Sequence, residues 1–157
     1  MRYDILVTNG HLLPRSSSDS PGTPSFVAIK DGRIQQLGAM TELPPAASAS
    51  QQLDATGCLI LPGMINTHCH AAMTLFRGLA DDLPLMTWLQ EHIFPAEARF
   101  VNPETVYWAA RLAAAEMLLG GTTCVADSYF HEEAAAQAFC EAGLRAVCAE
   151  TIYGWIY

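Results

Sequence analysis

Charge is scarce in this sequence, and positive charge scarcer still. Only 15% of its 157 residues are Asp, Glu, Lys or Arg, and 8 basic side chains stand against 16 acidic ones, giving a formal net charge of −8. Electrostatic binding of nucleic acid needs a basic stripe, and here Arg and Lys occur only as isolated residues. No nucleic-acid partner is expected. Long apolar runs are lacking too. Glu116 interrupts the longest helical stretch before it reaches the ~18 residues of a membrane span, and Met1-Arg2-Tyr3-Asp4 carries no signal-peptide core. The expectation is a soluble, cytoplasmic chain with no membrane partner. Cys58, Cys69, Cys124, Cys140 and Cys148 form an odd set without Cys-x-x-Cys spacing, mostly in apolar runs, which reads as buried reduced thiols. What is abundant is apolar: 51% of the residues, enough to exclude disorder and to require burial.

The first part of the chain has the pattern of a small antiparallel sheet. Asp4-Ile5-Leu6-Val7-Thr8 runs into Asn9-Gly10, and Phe26-Val27-Ala28-Ile29-Lys30 runs into Asp31-Gly32 before Arg33-Ile34-Gln35-Gln36-Leu37; both dipeptides are favoured hairpin turns. Arg15 to Pro24 is a solvated Ser-, Pro- and Gly-rich loop. A second breaker-rich stretch, Pro44 to Gln52, leads to Leu53-Asp54-Ala55-Thr56-Gly57, the last piece of that sheet.

After Gly57 the period changes. Cys58 to Leu61 and Met64 to His68 are strand-like, and Asp81 to Ile93 gives a helical stretch containing Trp88. Asn102-Pro103 supplies a cap and a first-turn proline for a helix whose apolar face is Val106, Ala110, Ala113 and Met117, ending at Gly120-Gly121. A strand (Thr122 to Ala126), a helix (Glu132 to Ala142, stopped by Gly143) and a strand (Arg145 to Ala149) follow. This β-α-β-α-β alternation calls for a parallel sheet with helices outside it and ligand sites beyond the carboxyl ends of the strands. Three such strands cannot bury both faces, so the sheet is expected to continue past Tyr157. The division read from the sequence is 1–57 for the small sheet and 58–157 for the first βα units of a larger domain.

His68 and His70 stand two apart at a strand end, so alternation puts both imidazoles on one face and Cys69 on the other. That spacing suits two ligands of a transition metal or, equally, an exposed polar strand end. Zinc catalysis uses three protein ligands and an open position, so two histidines are at most part of a site.

The run Leu61-Pro62-Gly63-Met64-Ile65-Asn66-Thr67-His68-Cys69-His70, preceded by the small sheet and Leu53-Asp54-Ala55-Thr56-Gly57, resembles the start of the amidohydrolase superfamily. Ala72 to Leu89, followed by Pro95-Ala96-Glu97, is similar to its methylthioadenosine/S-adenosylhomocysteine deaminase branch, alongside triazine and chlorohydrolase-like enzymes. The resemblance covers essentially the whole chain. It implies an α/β fold: part of a small β-sandwich domain, then about three strands of a (β/α)8 metal-dependent hydrolase barrel. It implies that the parent protein removes the 6-amino group of methylthioadenosine or S-adenosylhomocysteine by attack of metal-bound water. The metal would be divalent, zinc first and iron second. A homo-oligomer of the full-length parent is compatible with it.

Carried over by residue, the resemblance makes His68 and His70 metal ligands, Trp88 a wall of the nucleoside pocket and Glu97 the acceptor of the ribose hydroxyls. Taken without it, Trp88 reads as a core aromatic and Glu97 as a solvated residue. Cys69 stands where the family commonly has a small or hydroxyl residue, on the face turned away. His92 reads as a surface or supporting residue, while Asp127, Tyr129 and His131 follow the second barrel strand at its catalytic end; His131 either touches substrate or starts the next helix. His131-Glu132-Glu133 matches half of a cytidine-type deaminase signature whose Pro-Cys-x-x-Cys half is missing. In the resembled family the further histidines, the acid/base glutamate and an aspartate lie on later strands. The sequence therefore reads as an N-terminal fragment without catalytic residues of its own, inactive alone. The alternatives are a related enzyme acting on a free base or triazine, and a non-catalytic remnant.

Overall fold

A computed structural model describes residues 2–13 and 22–152 and separates into two compact units, 1–62 and 63–157. The first is a sheet of β1 (Arg2–Leu12), β2 (Pro24–Lys30), β3 (Arg33–Ala39), β4 (Ser48–Asp54) and the short β5 (Leu59–Ile60). Its order is β3-β2-β1-β4, with β5 also paired to β1. Of the loop expected over Arg15 to Pro24, residues 15–21 lie outside the described residues, and Pro24 already begins β2.

Two expectations for this unit are corrected. The sheet is mixed, because after the 3₁₀ turn Met40–Glu42 the chain returns to the free edge of β1 and both β4 and β5 run parallel to it. And only one of the two turn dipeptides makes a hairpin. Asp31 (φ 52) and Gly32 (φ 69) join β2 to β3. Asn9-Gly10 instead forms a bulge inside β1, where the register with β2 shifts between Val7 and Gly10. Asn9 takes the left-handed conformation (φ 63), its amide donates to Asp54 Oδ1 at 3.0 Å, and a Cβ on Gly10 would meet Ile60 Cδ1 at 2.6 Å. Tolerance of positive φ is thus used for an irregularity rather than a reversal. Tyr3, Leu6, Phe26 and Ala28 form the unit's core. Pairing of Leu59–Ile60 with β1 carries the unit to Pro62, five residues past the division at 57 read from the sequence.

The second unit contains a parallel sheet in the order β6 (Met64–Cys69), β7 (Thr122–Tyr129), β8 (Arg145–Glu150). Between β6 and β7 come a 3₁₀ turn (Ala71–Phe76), α1 (Leu85–Thr87), a π-helical turn (Trp88–Ile93), α2 (Phe94–Phe100) and α3 (Pro103–Leu119); α4 (Glu132–Ala142) joins β7 to β8. Helix α3 starts where the sequence says it must: Asn102 Oδ1 accepts from Thr105 N at 3.0 Å and Thr105 Oγ1 accepts from Asn102 N at 3.0 Å, a reciprocal cap with Pro103 in the first turn. Val106, Ala109, Ala110, Ala113 and Ala114 of α3 and Ala135, Ala138 and Phe139 of α4 bury against Val125 and Tyr129 of β7. Small residues on α3 let it pack closely against α4 and the turn Ala71–Phe76. The helical stretch expected over Asp81 to Ile93 begins only at Leu85, after Pro84. Strand β7 is longer than expected, so Asp127 and Tyr129 lie within it rather than after it.

Candidate active site

The carboxyl end of β6 carries the histidine pair. His68 is inside the strand and His70 just beyond it, and their rings stand edge to face with centroids 5.0 Å apart. Both are exposed, whereas Cys69 between them is half-buried. His70 Nδ1 lies 2.6 Å from the Ser128 carbonyl oxygen of β7. A carbonyl only accepts, so this bond places the proton on Nδ1 and leaves the Nε2 lone pair free. A backbone carbonyl fixing one ring nitrogen is the usual support of an imidazole that serves as a ligand through the other.

Behind the pair, on the helix-covered side of the sheet, lie buried carboxyl groups. Asp127, in register with Cys69, is 3% exposed and accepts from Ala71 N at 2.8 Å through Oδ1. It thereby holds the first residue of the turn that leaves His70. Burial pushes the Asp127 carboxyl up, opposed by the Ala71 amide and by His70. Burial, followed by the nearby Asp127 charge, pushes the Cys69 thiol up to about 11. Glu132, first residue of α4, is 4% exposed; neither of its oxygens has a partner of ordinary geometry, although the Cys148 thiol and the Tyr129 backbone favour its charged form. Burial and then Asp127 raise its carboxyl to about 7, and burial and then Glu132 raise Cys148 to about 12. Such thiols are unreactive. All five cysteines are free, but the expectation of burial is corrected: Cys58 and Cys140 are exposed and the others half-buried.

Trp88 opens the π-helical turn and is half-buried, with its indole N–H donating to the Leu79 carbonyl at 3.3 Å. The donor is thus spent on the loop that precedes the helix, and the flat face is what remains to offer. Glu97, in the first turn of α2, accepts at Oε1 from the Tyr129 hydroxyl at 2.6 Å. That bond ties α2 to the end of β7. His92 sits in the π-helical turn, half-buried. His131 is exposed, in the left-handed conformation (φ 55), immediately before α4; its backbone N–H and that of Glu132 donate to the Glu150 carboxylate at 3.0 and 2.8 Å. The helix is capped by a residue from β8 and not by His131. An open hollow beside this end of α4 is lined by His131, Glu132, Cys148 and Glu150 and by none of His68, His70, Trp88 or Glu97.

The structure therefore brings His68 and His70 side by side and anchors Trp88 and Glu97 separately. Sequence reasoning passed over Tyr129 as a partner of Glu97 and Ser128 as a partner of His70, both at the carboxyl end of β7. The available signal was positional, since a parallel neighbour of β6 must end beside the histidines. Among the described residues no group of three or more His, Cys, Asp or Glu is placed to hold a metal ion, and no helix is long and apolar enough to cross a membrane.

Comparison with known proteins puts these features in a lineage. The amidohydrolase family model matches residues 59–154. The chain is 49% identical over 152 residues to the 5-methylthioadenosine/S-adenosylhomocysteine deaminase of Syntrophobacter fumaroxidans, covering 97% of this chain and 34% of that one. It is 44% identical to the 5'-deoxyadenosine deaminase of Methanosarcina mazei, covering 91% of this chain and 32% of the relative. Among solved structures, an adenosine deaminase from Xanthomonas campestris with bound zinc is similar at 37% identity and a TM-score of 0.86, over 93% of this chain and 33% of that one. An atrazine chlorohydrolase from Arthrobacter aurescens complexed with zinc, at 23% identity, a TM-score of 0.80 and coverage of 93% and 35%, shares the fold. The chain thus spans about a third of the length of the relatives it matches, and within that third it has part of the small β-domain and the opening strands of the (β/α)8 hydrolase barrel. With a family match over most of its length and the paired histidines at the end of the first barrel strand, the chain belongs to the amidohydrolase family.

Proposed function

We propose that these residues are the opening third of a metal-dependent deaminase that hydrolyses the 6-amino group of methylthioadenosine or S-adenosylhomocysteine. The observation that carries the reading is the side-by-side imidazole pair, with His70 held by the Ser128 carbonyl through Nδ1. The names of the relatives at 49% and 44% identity favour the nucleoside over other amine substrates.

Two imidazoles suit a borderline divalent ion, zinc ahead of iron, and the zinc named with the similar adenosine deaminase fits a divalent metal. When bound, such an ion supplies Lewis-acid activation of the hydrolytic water. His68 and His70 would be this chain's ligands to it, and further ligands and a proton-shuttling carboxylate would come from later strands. Trp88 presents an apolar face to the purine, and the Glu97 carboxylate accepts from the two vicinal ribose hydroxyls, since each of its oxygens has lone pairs to give. The substrate is thus oriented by groups of this third.

The test is ammonia release by the full-length enzyme, with zinc or iron restored, on methylthioadenosine and S-adenosylhomocysteine against adenosine, cytosine, guanine and a chlorotriazine. Turnover of the first two is expected to exceed the rest. Preference for a free base or the chlorotriazine replaces this reading with that of a relative for which Glu97 has no ribose to hold.

A further inference from the structure

We propose that Tyr129 is a positioning residue for ribose recognition, its buried phenol holding the Glu97 carboxylate in the orientation that receives the two hydroxyls. The inference rests on the reading of Glu97 as the ribose acceptor. Tyr129 is the last residue of β7 and 4% exposed, packed in the core shared by α3, α4 and the turn Ala71–Phe76. A ring so enclosed has little freedom, so the position of its hydroxyl is set by the sheet. From there it donates to Glu97 Oε1 at 2.6 Å, in the short range of hydroxyl-to-carboxylate bonds.

The acceptor is much less constrained by its own surroundings. Glu97 lies in the first turn of a seven-residue helix, half-buried, directly after a π-helical turn. A glutamate there has three side-chain torsions to freeze when substrate binds. The Tyr129 bond freezes them beforehand, and it occupies one lone pair of Oε1 while leaving the second lone pair and all of Oε2. Two acceptor sites on adjacent oxygens are what a vicinal diol needs. Tyr129 also joins the substrate-binding helix to the strand whose Ser128 carbonyl holds His70. One strand end therefore sets both the metal ligand and the ribose acceptor.

The experiment is steady-state kinetics of the full-length enzyme with Tyr129→Phe, Glu97→Ala and the double variant, on methylthioadenosine and its 2',3'-dideoxy analogue. Tyr129→Phe keeps the ring and removes the hydroxyl. It is expected to raise KM for methylthioadenosine about tenfold, the worth of one charge-assisted hydrogen bond, with kcat changed less than about threefold. KM for the dideoxy analogue is expected to stay put, and the Tyr129 effect to vanish when Glu97 is already Ala. Additive losses in the double variant, or equal losses on both substrates, overturn the inference in favour of a simple staple between α2 and β7. Should Tyr129→Phe not fold, 3-fluorotyrosine at position 129 keeps shape and hydroxyl while strengthening the donor. It must then shift KM for the ribose substrate by at least about twofold and leave the dideoxy analogue alone; no such difference overturns the inference. A wild-type enzyme indifferent to the ribose hydroxyls overturns the reading of Glu97 itself. Response to the hydroxyls and to Glu97→Ala, but not to Tyr129→Phe, overturns only the role of Tyr129.

Discussion

A carboxylate at the first position of a helix normally points to solvent and complements the helix dipole. Glu132 does not: its side chain turns beneath α4 toward Asp127 and Cys148, and its carboxyl is raised to about 7 from an ordinary 4.5. The sign of the consequence follows from proton counting. Between those two values the folded chain keeps a proton that the unfolded chain has lost, so stability falls as pH rises through that window and is fully regained below it. Glu132→Gln is therefore expected to raise stability by about 1–3 kcal/mol at about pH 8 and to be nearly neutral at about pH 4. Thermal unfolding of wild type and variant at both values checks this, and an equal difference at both would refute it. Nothing in the sequence shows this burial, because Glu132-Glu133 opening a helix has the pattern of an exposed first turn. The side-by-side placement of His68 and His70 was legible for the opposite reason: residues two apart in a near-extended chain fall on one face.

At the scale of elements, ends marked by backbone chemistry were readable. Gly143 terminates α4 in the left-handed conformation (φ 77), and both ends of that helix fall where the sequence puts them. Asn102 likewise starts α3. Asn102→Ala removes the acceptor for Thr105 N and is expected to cost about 1 kcal/mol, up to about 2, in urea-induced unfolding, with little change in the slope. A change below a few tenths would mean that Pro103 and the packing of Val106 define the start unaided. Elements whose signal is degenerate were not readable. Asn-Gly serves a bulge in β1 as well as it would a turn, and the choice depends on Asp54 and Ile60, more than forty residues away. The π-helical turn at Trp88–Ile93 escaped notice because apolar spacing over a single turn does not separate i+4 from i+5 bonding.

For the molecule as a whole, the parallel sheet of the second unit is covered by α3 and α4 over Val125 and Tyr129, while Ile65 and Val147 are 66% and 67% exposed. Residues 1–157 expressed alone are expected to release no ammonia, to hold zinc substoichiometrically and to self-associate, since the sheet exposes apolar side chains and the imidazole pair is at most half of a metal site. Light scattering with metal analysis checks this; a monomer with one tightly held zinc and turnover contradicts it. The central claim is the proposal that this chain supplies both a ribose-reading carboxylate, Glu97, and a metal-binding pair, His68 and His70. It is tested most directly by the ratio of kcat/KM for methylthioadenosine to that for free adenine, measured in full-length wild type and in Glu97→Gln with metal content determined for both. The expected result is a strong nucleoside preference in wild type that falls at least about tenfold in Glu97→Gln, with metal content unchanged, because a neutral amide accepts less strongly from both hydroxyls. An unchanged ratio, or loss of metal on changing Glu97, contradicts the account.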